Sequence, residues 1–302
     1  MLTRRLALGA AFAASAFAGT AYAQSWKSAY PELVLAVVPA ENASGVTERY
    51  GPFVDYLSKA LGTKVTLRVA NDYAAVIEGQ RNGSIQLAGY GPASYARAII
   101  TGVKIQPFAT TVNADGTMGY YSVFYVRADS PYKTIDDLKG KNLGLVDPNS
   151  TSGNNVPRFA LNKMKVNPET FFARVTYTGS HENAVIALQQ KTVDVAANWW
   201  NSDDDSNLTR MVNKKLAKKE DFRIIYKSDL IPNSPFAYLD SLPADLKAAI
   251  QKAFLEAPTK AKAAFDKLSD GKDREFVKVD AKYYDPVVEL IKFIDQLRKQ
   301  KS

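Results

Sequence analysis

The chain has 302 residues, a formal net charge of +8 and no cysteine. The lack of cysteine excludes disulfides, thiol catalysis, thiolate metal sites and a lipid-modified cysteine. The basic residues are spread over many predicted helices, so we interpret them as solvated surface and expect no nucleic-acid partner. A chain of this length can bury one large core or two medium ones.

Residues 1–23 have the three parts of an export signal. Arg4 and Arg5 provide the positive start, residues 6–20 form the apolar middle, and residues 21–23 read Ala-Tyr-Ala, the small-residue pattern of a cleavage site. We expect cleavage after Ala23. No later segment is long and apolar enough to span a membrane, so the sequence predicts a soluble periplasmic protein.

Predicted strands and helices alternate in the chain that follows the signal. The apolar run 33–38 is typical of a strand buried on both faces of a parallel sheet, and a polar loop at 41–47 leads into a helix that Gly62 ends. This alternation predicts an α/β protein with doubly wound sheets. It continues in the segments 64–69, 72–80, 85–88 and 93–100 and, after longer strands at 105–111 and 120–127, in the segments 135–139, 142–146, 155–163, 168–174, 175–177, 184–190 and 193–197.

Two strands divide the chain into halves. The aromatic strand 120–127 is expected to run from one domain into the next, and the strand 222–226 to return. We therefore predict that residues 24–123 and 227–302 form lobe 1, that residues 124–226 form lobe 2, and that a cleft lies between them. Ligands of such sheets lie beyond the carboxyl ends of the strands.

Three consecutive hydroxyl side chains follow one of these strands. Ser150, Thr151 and Ser152 lie between the strand 142–146 and the helix 155–163. Hydroxyl groups and the first N–H groups of a helix both donate to an anion. The alternative is that Ser150 or Ser152 only caps the helix. Residues 89–91 and 179–181 also follow strands, so three turns converge on the predicted cleft.

The order and spacing of six segments resemble the periplasmic phosphonate-binding components of ABC importers. The resemblance covers nearly the whole chain after the signal. It implies a two-domain periplasmic-binding-protein fold of type II, which closes on a phosphorus oxyanion and delivers it to a membrane permease, without catalysis, cofactor or metal ion. A monomer is the simplest state for such a protein. The segments are 71–73, 90–91, 114–120, 147–153, 181–183 and 193–196.

The resemblance also implies a set of ligand residues. Ser150, Thr151 and Ser152 would hold the phosphonate oxygens, and the remaining partners would be Tyr73, Tyr120 and His181, with Tyr90 as a wall of the pocket. If His181 contacts the anion as a cation, binding should weaken as the pH rises through its pKa.

Two positions at which this chain departs from the family pattern indicate what kind of ligand tail to expect. Relatives that bind aminoalkyl phosphonates hold the ammonium with two carboxylates. By spacing, the first position falls on Asn201, and the second lies in the turn 231–235, which contains Asn233 and Ser234; all three residues are uncharged. A buried ammonium without a carboxylate is costly. We therefore expect weak binding of 2-aminoethylphosphonate and a ligand with a small or uncharged tail, such as methylphosphonate, phosphite or phosphate. A loop shift that brings Asp203 into the pocket would undo this expectation.

The residue patterns leave two other functions open. An exported hydrolase or transferase could use Ser150 or Ser152 with His181 as base, although no Gly-x-Ser-x-Gly elbow and no acid that would orient His181 are evident. A sulfonate-binding protein is compatible with the same hydroxyl turn. We interpret the aspartate run 203–205 as a helix start rather than as a metal site.

Overall fold

The computed structural model describes residues 26–299, so the predicted signal peptide and its cleavage after Ala23 lie outside the described residues. The described chain is mixed α/β, as predicted. Its strands, in chain order, are β1 (Glu32–Val37), β2 (Lys64–Val69), β3 (Leu87–Gly89), β4 (Ile105–Asn113), β5 (Gly119–Arg127), β6 (Asn142–Leu145), β7 (Arg174–Tyr177), β8 (Val195–Ser202), β9 (Asp205–Ser206), β10 (Phe222–Lys227), β11 (Ile231–Pro232), β12 (Phe236–Leu239) and β13 (Asp273–Val277).

The helices lie between these strands and after them. Short 3₁₀ turns occur at Asp136–Leu138, Lys219–Asp221 and Ala281–Tyr284, and one π-helical turn occurs at Thr151–Asn155. The α-helices are α1 (Trp26–Ala29), α2 (Ala43–Leu61), α3 (Tyr73–Arg81), α4 (Pro92–Ile100), α5 (Val156–Lys163), α6 (Pro168–Phe171), α7 (His181–Gln189), α8 (Asn207–Asn213), α9 (Ala244–Lys260), α10 (Lys262–Ser269) and α11 (Asp285–Lys299).

The strands form two sheets. The first has the order β13-β4-β12-β3-β1-β2, in which β1 is parallel to β2 and β3, whereas β12 and β13 pair antiparallel. The second has the order β10-β5-β8-β6-β7, with β11 paired to β5 and β9 to β8. We call residues 26–113 and 236–299, which carry the first sheet, the first lobe, and residues 119–232, which carry the second, the second lobe.

The chain passes between the sheets twice. β5 pairs with β8 and β11 along its length, so residues 119–123 belong to the second sheet and the first crossing precedes the predicted boundary after residue 123. The domain limits themselves stay a prediction.

The two crossing segments are bonded to each other and to the C-terminal part of the chain. The Asn233 side chain donates to Asn113 Oδ1 at 2.9 Å. The Tyr283 hydroxyl donates to the Met118 carbonyl at 2.9 Å, and the Tyr284 hydroxyl donates to the Asn233 carbonyl at 3.0 Å. Both crossings are therefore fixed at one place.

Side-chain caps explain where several helices begin. Asn42 accepts from the Gly45 N–H, so α2 begins at Ala43 and the predicted polar loop 41–47 is largely its first turn. The sequence also predicts helix caps at Ser180 and Thr134. Ser180 does cap α7, by accepting from the Asn183 N–H. Thr134 does not cap a helix, because its N–H and hydroxyl both donate to the Asp137 carboxylate.

The largest difference from the sequence prediction is the length of β8. The strand continues to Ser202, so Trp199 and Asn201 lie in a strand and not in a loop. A hairpin turn and β9 follow, and α8 begins only at Asn207, with Ser206 as its cap. The aspartate run 203–205 is therefore not a helix start.

Candidate functional site

A cavity of about 230 Å³ lies between the two lobes. Residues of both lobes line it, and the turns after β1, β3, β6 and β7 meet there, as expected for the carboxyl ends of strands. All nine residues that the sequence predicted as ligand contacts are among its lining residues: Tyr73, Tyr90, Tyr120, Ser150, Thr151, Ser152, His181, Asn201 and Ser234.

The hydroxyl turn has an unusual backbone. Thr151–Asn155 forms a single π turn, a feature that often marks functional sites. The Asn155 side chain donates to the carbonyls of Pro148 and Ser150, which fixes the turn. A Cβ atom at Gly153 would lie 2.4 Å from the Val146 side chain, so only glycine lets the turn approach β6 this closely.

Backbone groups occupy the acceptor sites of two hydroxyls of this turn. Ser150 Oγ accepts from the Gly153 N–H at 3.1 Å, so the capping alternative is correct as well. Thr151 Oγ1 accepts from the Ala93 N–H of the first lobe at 2.9 Å. Because each hydroxyl already accepts a backbone N–H, its own proton is available for donation. The turn can therefore present donors to an anion.

The predicted tyrosines approach the turn from both lobes. Tyr73 begins α3 in the first lobe and its hydroxyl contacts Ser150, whereas Tyr120 lies in β5 and its hydroxyl contacts Thr151 and Ser152. Burial raises the pKa of Tyr73, and it raises the pKa of Tyr120 to about 12, against the opposing effect of these hydrogen bonds. Both phenols therefore stay protonated and can donate.

The other aromatic prediction has a different outcome. Tyr90 lines the cavity, but its ring lies in the core of the first lobe, 6.4 Å from the ring of Tyr95. The charges that act on its hydroxyl are those of Arg81 and Glu78 near the C-terminal end of α3. Tyr73, at the opposite end of α3, is the tyrosine that reaches the turn. Tyr90 therefore contributes wall rather than a hydroxyl.

His181 is buried and electrically neutral. Its side chain is 3% exposed, and Nδ1 has no hydrogen-bond partner among the described residues. Burial lowers its pKa to about 3, although a hydrogen bond with Asn198 acts in the opposite direction. The imidazole therefore lines the cavity as a neutral group. This does not support the alternative that His181 contacts the anion as a cation near neutral pH.

Ionised side chains line the part of the cavity near Asn201. Two cations there have their own acidic partners: Arg49 lies 2.5 Å from Glu41, and Arg210 lies 2.8 Å from Asp270. The guanidinium of Arg210 also lies 4.8 Å from the centre of the Trp199 ring.

Two carboxylates of the cavity have no such partner. Asp205 and Asp273 line the cavity, and neither forms an ion pair with a lysine or arginine in the part of the chain that the structure describes. Asp205 accepts from Asn201 Nδ2 at 2.7 Å. The other side-chain atom, Asn201 Oδ1, is buried and has no hydrogen-bond partner among the described residues. Burial and the neighbouring Asp205 raise the pKa of Asp273 to about 7.

These carboxylates correct one step of the sequence argument. Asn201 and Ser234 do line the cavity and are uncharged, as predicted. The uncharged positions imply that no carboxylate lies in this part of the cavity. This is wrong, because β8 continues into a hairpin that brings Asp205 back beside Asn201. Asp203, the aspartate suspected from the sequence, is 82% exposed instead.

Residues 26–299 contain no group of three His, Asp or Glu side chains that could hold a metal ion. No helix in the same range has the length and apolar character needed to cross a bilayer.

Comparison with known proteins gives the family. The family model described as "ABC transporter, phosphonate, periplasmic substrate-binding protein" matches residues 35–284. The chain belongs to this family. The family consists of binding proteins, so the chain is not the hydrolase or transferase that Ser150, Ser152 and His181 would have formed.

Individual relatives of this binding protein agree with the family. The phosphonates-binding periplasmic protein of Escherichia coli is 32% identical over 255 residues, 83% of this chain and 72% of the relative. The phosphate-import protein PhnD of Mycolicibacterium smegmatis is 31% identical over 82% of this chain and 78% of its own length. A crystal structure of a phosphonate ABC transporter binding component from Pseudomonas aeruginosa has a TM-score of 0.77 at 28% identity, covering 86% and 85% of the two chains.

Several lining residues of the binding protein were missed by the sequence argument. Arg49, Arg210 and Asp273 come from helices and a strand whose patterns gave no sign of a site, and β13 itself was not predicted. The hairpin that places Asp205 had one sequence signal: the run of polar residues 201–206 after an apolar strand is typical of a turn.

The neutral His181 gives a testable pH dependence of stability. The pKa of His181 is lower in the folded protein than in the unfolded protein. Its contribution to the free energy of unfolding is therefore complete above pH 6.5 and declines as the pH falls towards about 3. Over this window the loss is about 1.4 kcal/mol per pH unit. Urea unfolding of ligand-free protein between pH 7.5 and 4.5 should therefore show a steeper loss for the wild type than for His181→Asn. Parallel curves for the two proteins would contradict a buried neutral imidazole.

Proposed function

We propose that the chain is the substrate-binding component of an ABC importer for phosphorus oxyanions, which closes on the anion in the periplasm and delivers it to an inner-membrane permease. The observation that carries the proposal is the buried hydroxyl turn Ser150–Thr151–Ser152, in which the Ser150 and Thr151 hydroxyls each accept a backbone N–H and keep their own protons for donation. The names of the Escherichia coli and Mycolicibacterium smegmatis relatives, a phosphonate-binding and a phosphate-import protein, support the same ligand class.

The oxyanion end of the ligand lies against this turn. Three hydroxyls and the free N–H groups at the start of the π turn donate to the oxygens, and Tyr73 and Tyr120 donate from either lobe. His181 adds one neutral contact. Each charge-assisted hydrogen bond contributes about 1.5–3 kcal/mol, so four of them are enough for micromolar affinity before the ordering cost is subtracted.

The tail of the ligand extends towards Asn201. A small or uncharged tail, as in methylphosphonate, phosphite or phosphate, leaves Asp205 and Asp273 hydrated. A tail with an ammonium group places a cation beside Asp205 and Asp273, which form no ion pair with a lysine or arginine among the described residues and have Arg210 as a more distant cation. The geometry therefore favours tolerance of aminoalkyl phosphonates, in contrast to the expectation from Asn201 and Ser234 alone. We propose that the protein works as a monomer.

The test is an anion panel measured by titration calorimetry on the mature protein. The panel contains methylphosphonate, 2-aminoethylphosphonate, phosphite, phosphate and methanesulfonate. We expect the phosphorus anions to include the tightest ligand and every ligand to be recovered unchanged. Tighter binding of methanesulfonate than of all four phosphorus anions would overturn the proposal in favour of a sulfonate-binding protein.

A further inference from the structure

A buried bridge of charged groups joins the two lobes beside the ligand cavity. Lys214 Nζ, at the end of α8 in the second lobe, lies 2.7 Å from Glu41 of the first lobe and 2.7 Å from Glu182 of the second. The two carboxylates are 5% and 2% exposed, whereas Lys214 is 28% exposed. We call these three residues the interlobe bridge.

Backbone bonds between the lobes surround the bridge. The other oxygen of Glu182 accepts from the Asn42 N–H of the first lobe at 2.9 Å. The His181 N–H donates to the Ala40 carbonyl at 3.1 Å. Since His181 and Glu182 are neighbours at the start of α7, the same turn carries both a cavity residue and a bridge residue.

Together with Arg49, which pairs with Glu41, the bridge sets two cations against two buried carboxylates, and the Lys214–Glu41 pair joins the lobes. Burial would raise the pKa of Glu41, but Arg49 and Lys214 outweigh it and hold that pKa below its usual value. For Lys214, burial opposes the charged form, and hydrogen bonds to Glu182 and Glu41 raise its pKa nonetheless. Removing one member of a buried set leaves an uncompensated charge, which is strongly destabilising for that conformation.

Gly45 leaves room for the bridge. A Cβ atom there would lie 2.5 Å from Glu41 Oε2 and 2.7 Å from Lys214 Nζ. Alanine is the better helix former by about 1 kcal/mol, so α2 itself gains nothing from this glycine. Gly51, in the same helix, has no atom within 4 Å of an added Cβ and is a matched comparison.

We propose that Lys214 is a positioning residue: by joining Glu41 to Glu182 it holds the lobes closed over the ligand and slows ligand release. Glu41 lines the ligand cavity, whereas Lys214 and Glu182 do not, and Lys214 acts through the closed form, in which the start of α7 presents His181 to the cavity. This inference rests on the proposed function, since it needs a ligand that dissociates when the lobes open.

Stopped-flow tryptophan fluorescence tests the bridge, because Trp199 lines the cavity. The probes are methylphosphonate and inorganic phosphate. Lys214→Met should raise the dissociation rate by about tenfold or more and leave the association rate within about threefold, because the open form is unaffected. Lys218→Met, an exposed lysine in the next loop, should leave both rates unchanged.

A second pair of variants separates the bridge from general destabilisation. Gly45→Ala should raise the dissociation rate like Lys214→Met, whereas Gly51→Ala should not, although both changes favour the helix. Wild-type dissociation rates in Lys214→Met and Gly45→Ala would overturn the inference while leaving the proposed function intact. Failure of the wild type to bind either probe would instead overturn the proposed function, and this inference with it.

Discussion

Replacing Thr151 with alanine is expected to lower the affinity for methylphosphonate by about 10- to 100-fold. The threonine hydroxyl accepts from the Ala93 N–H and keeps its own proton for donation to the anion. Alanine removes that donor and also leaves the Ala93 N–H without its acceptor. Calorimetric titration of wild type and variant measures the difference.

Two further variants show whether the hydroxyl is responsible. Thr151→Ser keeps the oxygen and should retain an affinity close to that of the wild type. Thr47→Ala removes an exposed hydroxyl of α2 that does not line the cavity, and should have no effect. If Thr151→Ala folds and binds methylphosphonate as tightly as the wild type, the hydroxyl turn is not the oxyanion site.

Replacing Asp205 with asparagine should weaken 2-aminoethylphosphonate selectively. Loss of one charge-assisted contact to the ammonium corresponds to about 10- to 100-fold in affinity, whereas methylphosphonate has no group to lose and should change by less than about twofold. The asparagine keeps the size of the side chain, so the cavity stays intact. The ratio of the two affinities, measured by competition on one protein sample, shows whether the loss is selective for 2-aminoethylphosphonate.

The neighbouring aspartate provides the control for this experiment. Asp203 is 82% exposed and lies on the outer side of the hairpin, so Asp203→Asn should leave the ratio unchanged. An unchanged ratio in Asp205→Asn would mean that the tail does not reach the carboxylates. The expectation drawn from uncharged Asn201 and Ser234 would then stand.

The position of the hydroxyl turn could be predicted from the sequence because the turn is local. Ser150, Thr151 and Ser152 are consecutive, and their position between a strand and a helix follows from short-range patterns. The alternation of strands and helices, the cap at Ser180 and the end of α2 at Gly62 are confirmed for the same reason. Local rules decide these features, so they are readable without a structure.

The part of the cavity near Asn201 depends on contacts between residues that are far apart in the sequence. Asp205 and Asp273 meet across the two lobes, and no spacing rule connects a hairpin after β8 with an unpredicted strand near the C-terminus. Tertiary pairing extended β8 beyond its apolar core, because residues 199 and 200 pair with β5. The neutrality of His181 likewise results from burial, which sequence position does not specify.

The bonded crossings constrain how this protein can open. Asn233 ties the return segment to Asn113, and Tyr283 and Tyr284 hold one segment each. Sliding of one lobe past the other would break these bonds, whereas rotation about the line that joins the crossings leaves them intact. Opening should therefore be a rotation about that single axis, with the C-terminal segment bonded to both crossings.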